Sequence, residues 1–262
     1  MDDNLWNSRT LLLLGAENIE KLKSSHVLVA GLGGVGGYAA EMLCRAGIGK
    51  LTLVDGDVIN PSNRNRQLLA LKSKEGMKKA EIMKERLLDI NPEIDLIIYP
   101  EYIKDERMIE IIEEAPYDYV VDAIDTLSPK IYLIHHSVKR NLKVVSSMGS
   151  GGKLDPSKVQ IADIAQTFMC PLADILRKRL HKLGIYTGFK AVFSTEIIPA
   201  DSVIVVENEL NKKSTVGTVS YMPPLFGCLC ASVVIRELIG ISVESNLPIP
   251  KSVKKKITFN KD

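Results

Sequence analysis

The stretch His26–Asp55, HVLVAGLGGVGGYAAEMLCRAGIGKLTLVD, constrains this chain more than any other. An apolar run over 26–31 gives way to a glycine-rich turn, then to a helix over 34–47 and a second apolar run over 51–55. Two continuously apolar strands around one helix make a βαβ unit, which builds a parallel sheet covered on both faces. Gly31, Gly33 and Gly36 fit G-x-G-x-x-G, with Gly34 and Gly37 alongside. In that pattern the first glycine permits the tight turn, the second lets a phosphate approach the backbone, and the third lets helix pack on strand. Amides at the helix start then face an anion, favoured by the helix dipole. Asp55 ends the second strand, where a carboxylate accepts hydrogen bonds from ribose hydroxyls. By itself the motif mildly favours NAD but does not decide between NAD and ATP.

The rhythm continues through residue 150, with strands expected over 94–99, 118–124 and 142–147 and helices over 74–90, 105–115 and 128–141. Beyond Gly152 it changes. A helix over 171–183, short strands over 189–198 and 202–207, and a helix over 224–239 read as a different arrangement. The fold class is therefore α/β: a Rossmann-like, doubly wound, mostly parallel sheet with an appended C-terminal α+β portion. Residues 1–150 are expected to bind nucleotide, 151–240 to form the substrate side of the same domain, and 241–262 to be a lysine-rich tail.

Composition excludes several classes. A net charge of +2 gives no global basic field of the kind that announces a nucleic-acid binder. Met1–Glu20 mixes acids and polar residues with leucines, which is not a signal peptide. The apolar run Leu225–Ile235 is stopped by Arg236 and Glu237, short of the roughly 20 residues a bilayer span needs. A cytoplasmic protein without a membrane partner is expected. Cys44, Cys170, Cys228 and Cys230 contain no C-x-x-C pair, so neither a zinc knuckle nor a disulfide framework is indicated. Cys44, Cys228 and Cys230 sit in apolar runs and are expected in the core, whereas Cys170 precedes Pro171 at a helix start, where the dipole stabilises a thiolate.

The residues after Asp55 separate the two nucleotides. The stretch GDVINPSNRNRQLLALKSKEGMKKAE holds Asp57, Asn63, Arg66, Gln67 and Lys79. A helix N-terminus largely satisfies the pyrophosphate of NAD, whereas the additional charge of ATP calls for cations beyond the glycine turn. Arg66 and Lys79 are spaced to supply them. Asp125, in YVVDAID, falls just past a strand end, where open α/β sheets bind ligands and where a carboxylate can hold Mg²⁺. Each has an ordinary role if taken alone: a loop cation, a surface lysine paired with Glu75, a helix cap. Together they favour ATP.

The run GLGGVGGYAAEMLCRAGIGKLTLVDGDVINPSNRNRQ, then GMKKAEIMKERLLDINP, then DAID resembles the HesA/MoeB/ThiF adenylyltransferases, relatives of ubiquitin-activating enzymes. The resemblance covers roughly residues 5–150. It implies a homodimer that uses ATP and Mg²⁺ to adenylate a carboxylate. Carried onto this sequence, it gives Asp55 to the ribose, Asn63, Arg66 and Gln67 to the nucleotide and its phosphates, Lys79 to a phosphate and Asp125 to magnesium. It also likens Arg9, in SRTLLLLG, to an arginine that reaches into the partner subunit's site, although Leu11 stands where a polar residue is expected. SSMGSGGKLDPSKVQIADI, CPLADILRKRL and AVFSTE are similar to the branch that dehydrates threonylcarbamoyladenosine next to the anticodon in tRNA. A monovalent cation near the glycine loop and a sulfur-transfer protein remain open as further ligands. So do three other readings: an activator of a sulfur-carrier protein ending in Gly-Gly, an NAD-dependent oxidoreductase, and a non-catalytic nucleotide-binding scaffold.

Overall fold

The computed structural model describes residues 6–205, 214–250 and Val253. Seven strands form one sheet: β1 (His26–Ala30), β2 (Lys50–Val54), β3 (Asp95–Tyr99), β4 (Tyr119–Asp122), β5 (Lys143–Ser147), β6 (Val159–Asp163) and β7 (Lys190–Ser194). Their order is β3-β2-β1-β4-β5-β7-β6, and every pair is parallel except β6 with β7. The order reverses between β1 and β4, which opens a crevice at their carboxyl ends.

Alternation along the strands builds two cores. Val27 and Val29 of β1 face a layer made by α2 (Ala16–Lys23), α3 (Gly36–Ala46), α4 (Lys79–Ile90) and α8 (Met222–Leu238). Leu28 and Ala30 face the opposite layer, made by α5 (Asp105–Glu113), α6 (Leu127–Lys139) and α7 (Pro171–Lys182). Each fully buried aliphatic side chain there contributes about 1.5–3 kcal/mol of transfer free energy. A short helix, α1 (Ser8–Leu14), precedes α2 and buries none of its residues. A small antiparallel pair, β8 (Val203–Val205) with β9 (Ser214–Val216), lies outside the main sheet.

Four differences from the sequence reading have physical causes. First, β6 and β7 extend the nucleotide-binding sheet itself, so the residues past 151 are joined to it by a continuous hydrogen-bonded ladder. Second, β6 is not expected from the sequence, because VQIAD is a half-buried edge strand whose register exists only against β7. Third, α4 begins at Lys79 rather than at 74: residues 72–74 form a 3₁₀ turn, Gly76 takes a φ of 82°, and Lys78 bridges Val58. Fourth, α1 and α2 are not expected from the sequence, because at 7 and 8 residues each is too short to show a clear helical period. Residues 206–207 of the expected strand, and 251, 252 and 254–262 of the expected tail, lie outside the described residues.

Cys44, Cys170 and Cys230 are buried, but Cys228 is exposed, correcting the expectation of a core position. Two residues apart on α8, Cys228 and Cys230 point about 200° apart, so only one faces the sheet. No described helix is long and apolar enough to cross a membrane.

Candidate functional site

The glycine turn lies at the top of β1. Gly31 has a φ of 88°, and a Cβ there would meet the Ala123 carbonyl oxygen at 2.8 Å. A Cβ on Gly36 would lie 1.7 Å from the Gly31 carbonyl oxygen, so only glycine lets α3 start this close to the strand. Gly33 and Gly34 stay outside the helix, which begins two residues later than expected. Gly34 packs beside Arg66 and Pro223, and Gly33 faces the Gln67 amide.

Asp55 follows β2. Its Oδ2 accepts the Leu32 amide at 2.6 Å and its Oδ1 accepts the Asp57 amide at 2.7 Å, which ties the acid to the glycine turn. Burial pushes its carboxyl above the usual carboxylate range, opposed by the Lys79 charge and by those two amides. Asp57 Oδ2 receives the buried Lys79 ammonium at 2.6 Å. The backbone repeats the pairing, with the Lys79 amide donating to the Asp57 carbonyl at 3.1 Å. Lys79 is thus no surface lysine paired with Glu75; Glu75 lies 3.5 Å from Arg64 instead.

Between the two, Asn63 is buried and closes a capping box with Asn60. This box shapes the turn that delivers Arg66 and Gln67. The Arg66 guanidinium donates to the Ser62 carbonyl at 2.9 Å and to Asn65 Oδ1 at 2.8 Å. Asn65 in turn donates to the Thr218 carbonyl at 2.9 Å, linking this loop to the segment before α8.

Asp125 stands exposed in the loop between β4 and α6. Among the described residues no group of three or more His, Cys, Asp or Glu side chains is arranged to hold a metal. One exposed carboxylate at a strand end suits a Mg²⁺ that arrives with phosphate oxygens and keeps most of its waters. Arg9 is exposed on α1, in a helix that buries nothing, and no described contact joins it to the crevice.

Two features escape a reading of the sequence alone. The Tyr102 hydroxyl donates to Asp57 Oδ1, and that bond, with burial and nearby acids, pushes its phenol up to about 12. Beneath Asp125, Asp122 and Lys130 form a fully buried ion pair at 2.8 Å. The only signal in the sequence is an acid closing an otherwise apolar strand; nothing there couples it to a lysine eight residues on.

The profile of the ThiF family matches residues 7–260. The chain belongs to the ThiF family. Among curated relatives, the tRNA threonylcarbamoyladenosine dehydratase of Bacillus subtilis (strain 168) is 42% identical over 206 residues, covering 79% of each chain. That of Escherichia coli (strain K12) is 37% identical over 203 residues, covering 74% of this chain and 75% of the relative. The crystal structure of the E. coli tRNA N6-threonylcarbamoyladenosine dehydratase in complex with ATP superposes with a TM-score of 0.81 at 33% identity, covering 88% of this chain and 93% of that one. A relative matched over a shorter stretch, the adenylyltransferase and sulfurtransferase MOCS3 of Drosophila virilis, is 38% identical over 156 residues, 59% of this chain and 34% of the relative.

Proposed function

We infer that this protein is an ATP-dependent dehydratase of threonylcarbamoyladenosine in tRNA, acting through adenylation of the threonyl carboxylate. The observation that carries the reading is the convergence of Asp55, Asp57, Lys79, Arg66 and Asp125 around a glycine turn at the reversal between β1 and β4. The likeness to dehydratases extends past the glycine-turn half, over 88% of the chain in the structural match.

In this reading Asp55 orients the ribose and the glycine-turn amides receive phosphate. Arg66 and Lys79 neutralise charge as pyrophosphate leaves, and Asn63 and Gln67 complete the nucleotide contacts. Asp125 would hold Mg²⁺, which supplies charge neutralisation at the phosphates. A threonyl carboxylate oxygen attacks the α-phosphorus and displaces pyrophosphate. The carbamoyl group of the same nucleoside then attacks the activated carbonyl and expels AMP, which carries off the carboxylate oxygen. Because nucleophile and electrophile belong to one substituent, high effective molarity removes the need for a covalent enzyme intermediate. Cys44, Cys170 and Cys230 are buried, and the mechanism gives no role to the exposed Cys228. Residues 1–150 serve as the nucleotide side, and 151–240 as the substrate side of the same sheet.

A homodimer belongs to the proposal. On α1, which carries Arg9, Leu12 and Leu13 are 88% and 82% exposed, an apolar surface of the kind a second subunit covers. Neither a monovalent cation nor a sulfur-transfer partner enters this mechanism. The deciding experiment incubates the protein with ATP, Mg²⁺ and tRNA carrying threonylcarbamoyladenosine. AMP and the ring-closed nucleoside should appear together by mass spectrometry. Pyrophosphate exchange stimulated by a Gly-Gly-tailed carrier protein, with no change in the tRNA, would assign the chain to sulfur-carrier activation instead.

A further inference from the structure

Asp122 and Lys130 are both fully buried, and the pair is costly to place there. A buried ion pair is weak evidence for stability, because well-packed apolar residues of the same volume usually serve the fold as well. Its hydrogen bonds show what else it does. Lys130 Nζ donates to the Ile124 carbonyl at 3.0 Å, while Asp122 Oδ1 accepts the Ile124 amide at 3.2 Å. Ile124, the residue before Asp125, is thereby gripped at both its backbone polar groups. Ser146 of β5 donates to Asp122 Oδ2 at 2.6 Å and fixes the acid from the neighbouring strand. One residue earlier, the Ala123 amide donates to Ala30 of β1 at 2.9 Å, and the Ala123 carbonyl rests against Gly31. The loop carrying Asp125 is thus anchored to the glycine turn on one side and to a buried charge network on the other.

We propose that Lys130 is a positioning residue: through Asp122 and the Ile124 carbonyl it fixes the backbone that presents Asp125 to magnesium-bound phosphates. This rests on the ATP–Mg²⁺ reading of the site, in which Asp125 touches the metal and Lys130 does not. Residues one shell behind a metal ligand typically change metal affinity by about 10–100-fold when removed.

The test uses the full-length protein. Removing one charge alone would strand the other, so the working variant is the double substitution Asp122→Asn with Lys130→Met, which removes both charges at nearly constant volume. Lys130→Arg serves as the conservative control. ATP binding is measured by calorimetry in EDTA and across a Mg²⁺ titration, with Mn²⁺ binding to the protein–ATP complex followed by electron paramagnetic resonance. The double variant should bind ATP in EDTA within about twofold of the wild type, yet need roughly tenfold more Mg²⁺ to reach half-maximal enhancement. Its Mn²⁺ signal should broaden, and Lys130→Arg should recover most of the shift. An unchanged Mg²⁺ midpoint, an equal loss with and without metal, or failure of both variants to fold would overturn the proposal, since each makes the network a packing element only. Asp125→Ala in the native background separates the two ideas. If that substitution leaves the Mg²⁺ enhancement intact, the magnesium reading itself fails.

Discussion

Lys79 Nζ lies 2.6 Å from Asp57 Oδ2, the lysine side chain 3% exposed and the aspartate 45%. The lysine comes from the first residue of α4 and the acid from the segment after β2, so the pair bridges two elements at the mouth of the crevice. The lysine thus has a carboxylate partner of its own, and in the proposed site an arriving phosphate would share the ammonium with it. Lys79→Ala should lower pyrophosphate exchange by about 100-fold or more, the usual consequence of removing one preorganised charge from a developing anion. Steady-state exchange assays check this, and a loss under about threefold would remove Lys79 from the site.

In the proposed site, Arg66 is the residue that would separate ATP from NAD, the two nucleotides that the glycine turn admits. Arg66→Ala should cut ATP turnover by about 100-fold, since a guanidinium beside a triphosphate is worth several kcal/mol in the transition state. Equilibrium dialysis with NAD, run beside it, should show no tight binding for either protein. Tight NAD binding indifferent to the substitution would restore the oxidoreductase reading.

Gly36→Ala tests the close approach of α3 to β1. A methyl group there would overlap the Gly31 carbonyl oxygen, a backbone atom that cannot swing aside. The variant should lose about 3 kcal/mol or more of stability, beyond ordinary overpacking. Urea unfolding of the folded fraction measures it; a loss below about 1 kcal/mol would show that the helix start can slide.

His26 predicts an acid sensitivity. Its ring is buried at the bottom of β1, with Nε2 2.8 Å from Thr52 Oγ1 and the Tyr117 ring 4.5 Å away. Burial, helped by Lys50, lowers its pKa to about 4, while Asp118 and Asp95 pull the other way. With a folded-state pKa below the unfolded value near 6.5, the unfolded chain takes up the proton first. Stability is therefore full above pH about 6.5, declines as pH falls, and stops declining below about 4, a total of about 3 kcal/mol. His26→Gln should flatten that part of the pH–stability curve. An unchanged slope between pH 6 and 4 would show that the proton goes elsewhere.

The dimer proposal makes its own prediction. If Arg9 completes the partner's site, Arg9→Ala and Arg66→Ala proteins should each be nearly inactive. Mixed and refolded together, they should recover up to about a quarter of wild-type activity, because half the molecules become heterodimers with one intact site of two. No recovery, with mixed dimers shown by mass spectrometry, would place Arg9 outside the partner's site.

Much of this is legible in the chain itself. Continuous apolar runs and the spacing of Gly31, Gly33 and Gly36 determine a parallel sheet with a phosphate-facing turn, because steric tolerance and strand periodicity are local properties. Asp55 and Asp125 are visible for the same reason: they follow strand ends, which local pattern sets, whereas Arg66 and Lys79 stand out only as cations in the polar stretch between them. Long-range partners are not. The sequence offers Lys79 a neighbour in Glu75, yet folding hands it Asp57, because Gly76 and the Val58–Lys78 bridge turn the chain before α4 begins. Nothing local joins Lys130 to Asp122 or aligns β6 with β7, since both depend on where separate segments meet once the core has closed. The chain thus specifies by itself which nucleotide-binding turn it builds, through short-range sterics and hydrophobic rhythm. Only the tertiary structure decides which charges are buried against each other and which face the crevice, because burial and pairing depend on distances that no local pattern encodes.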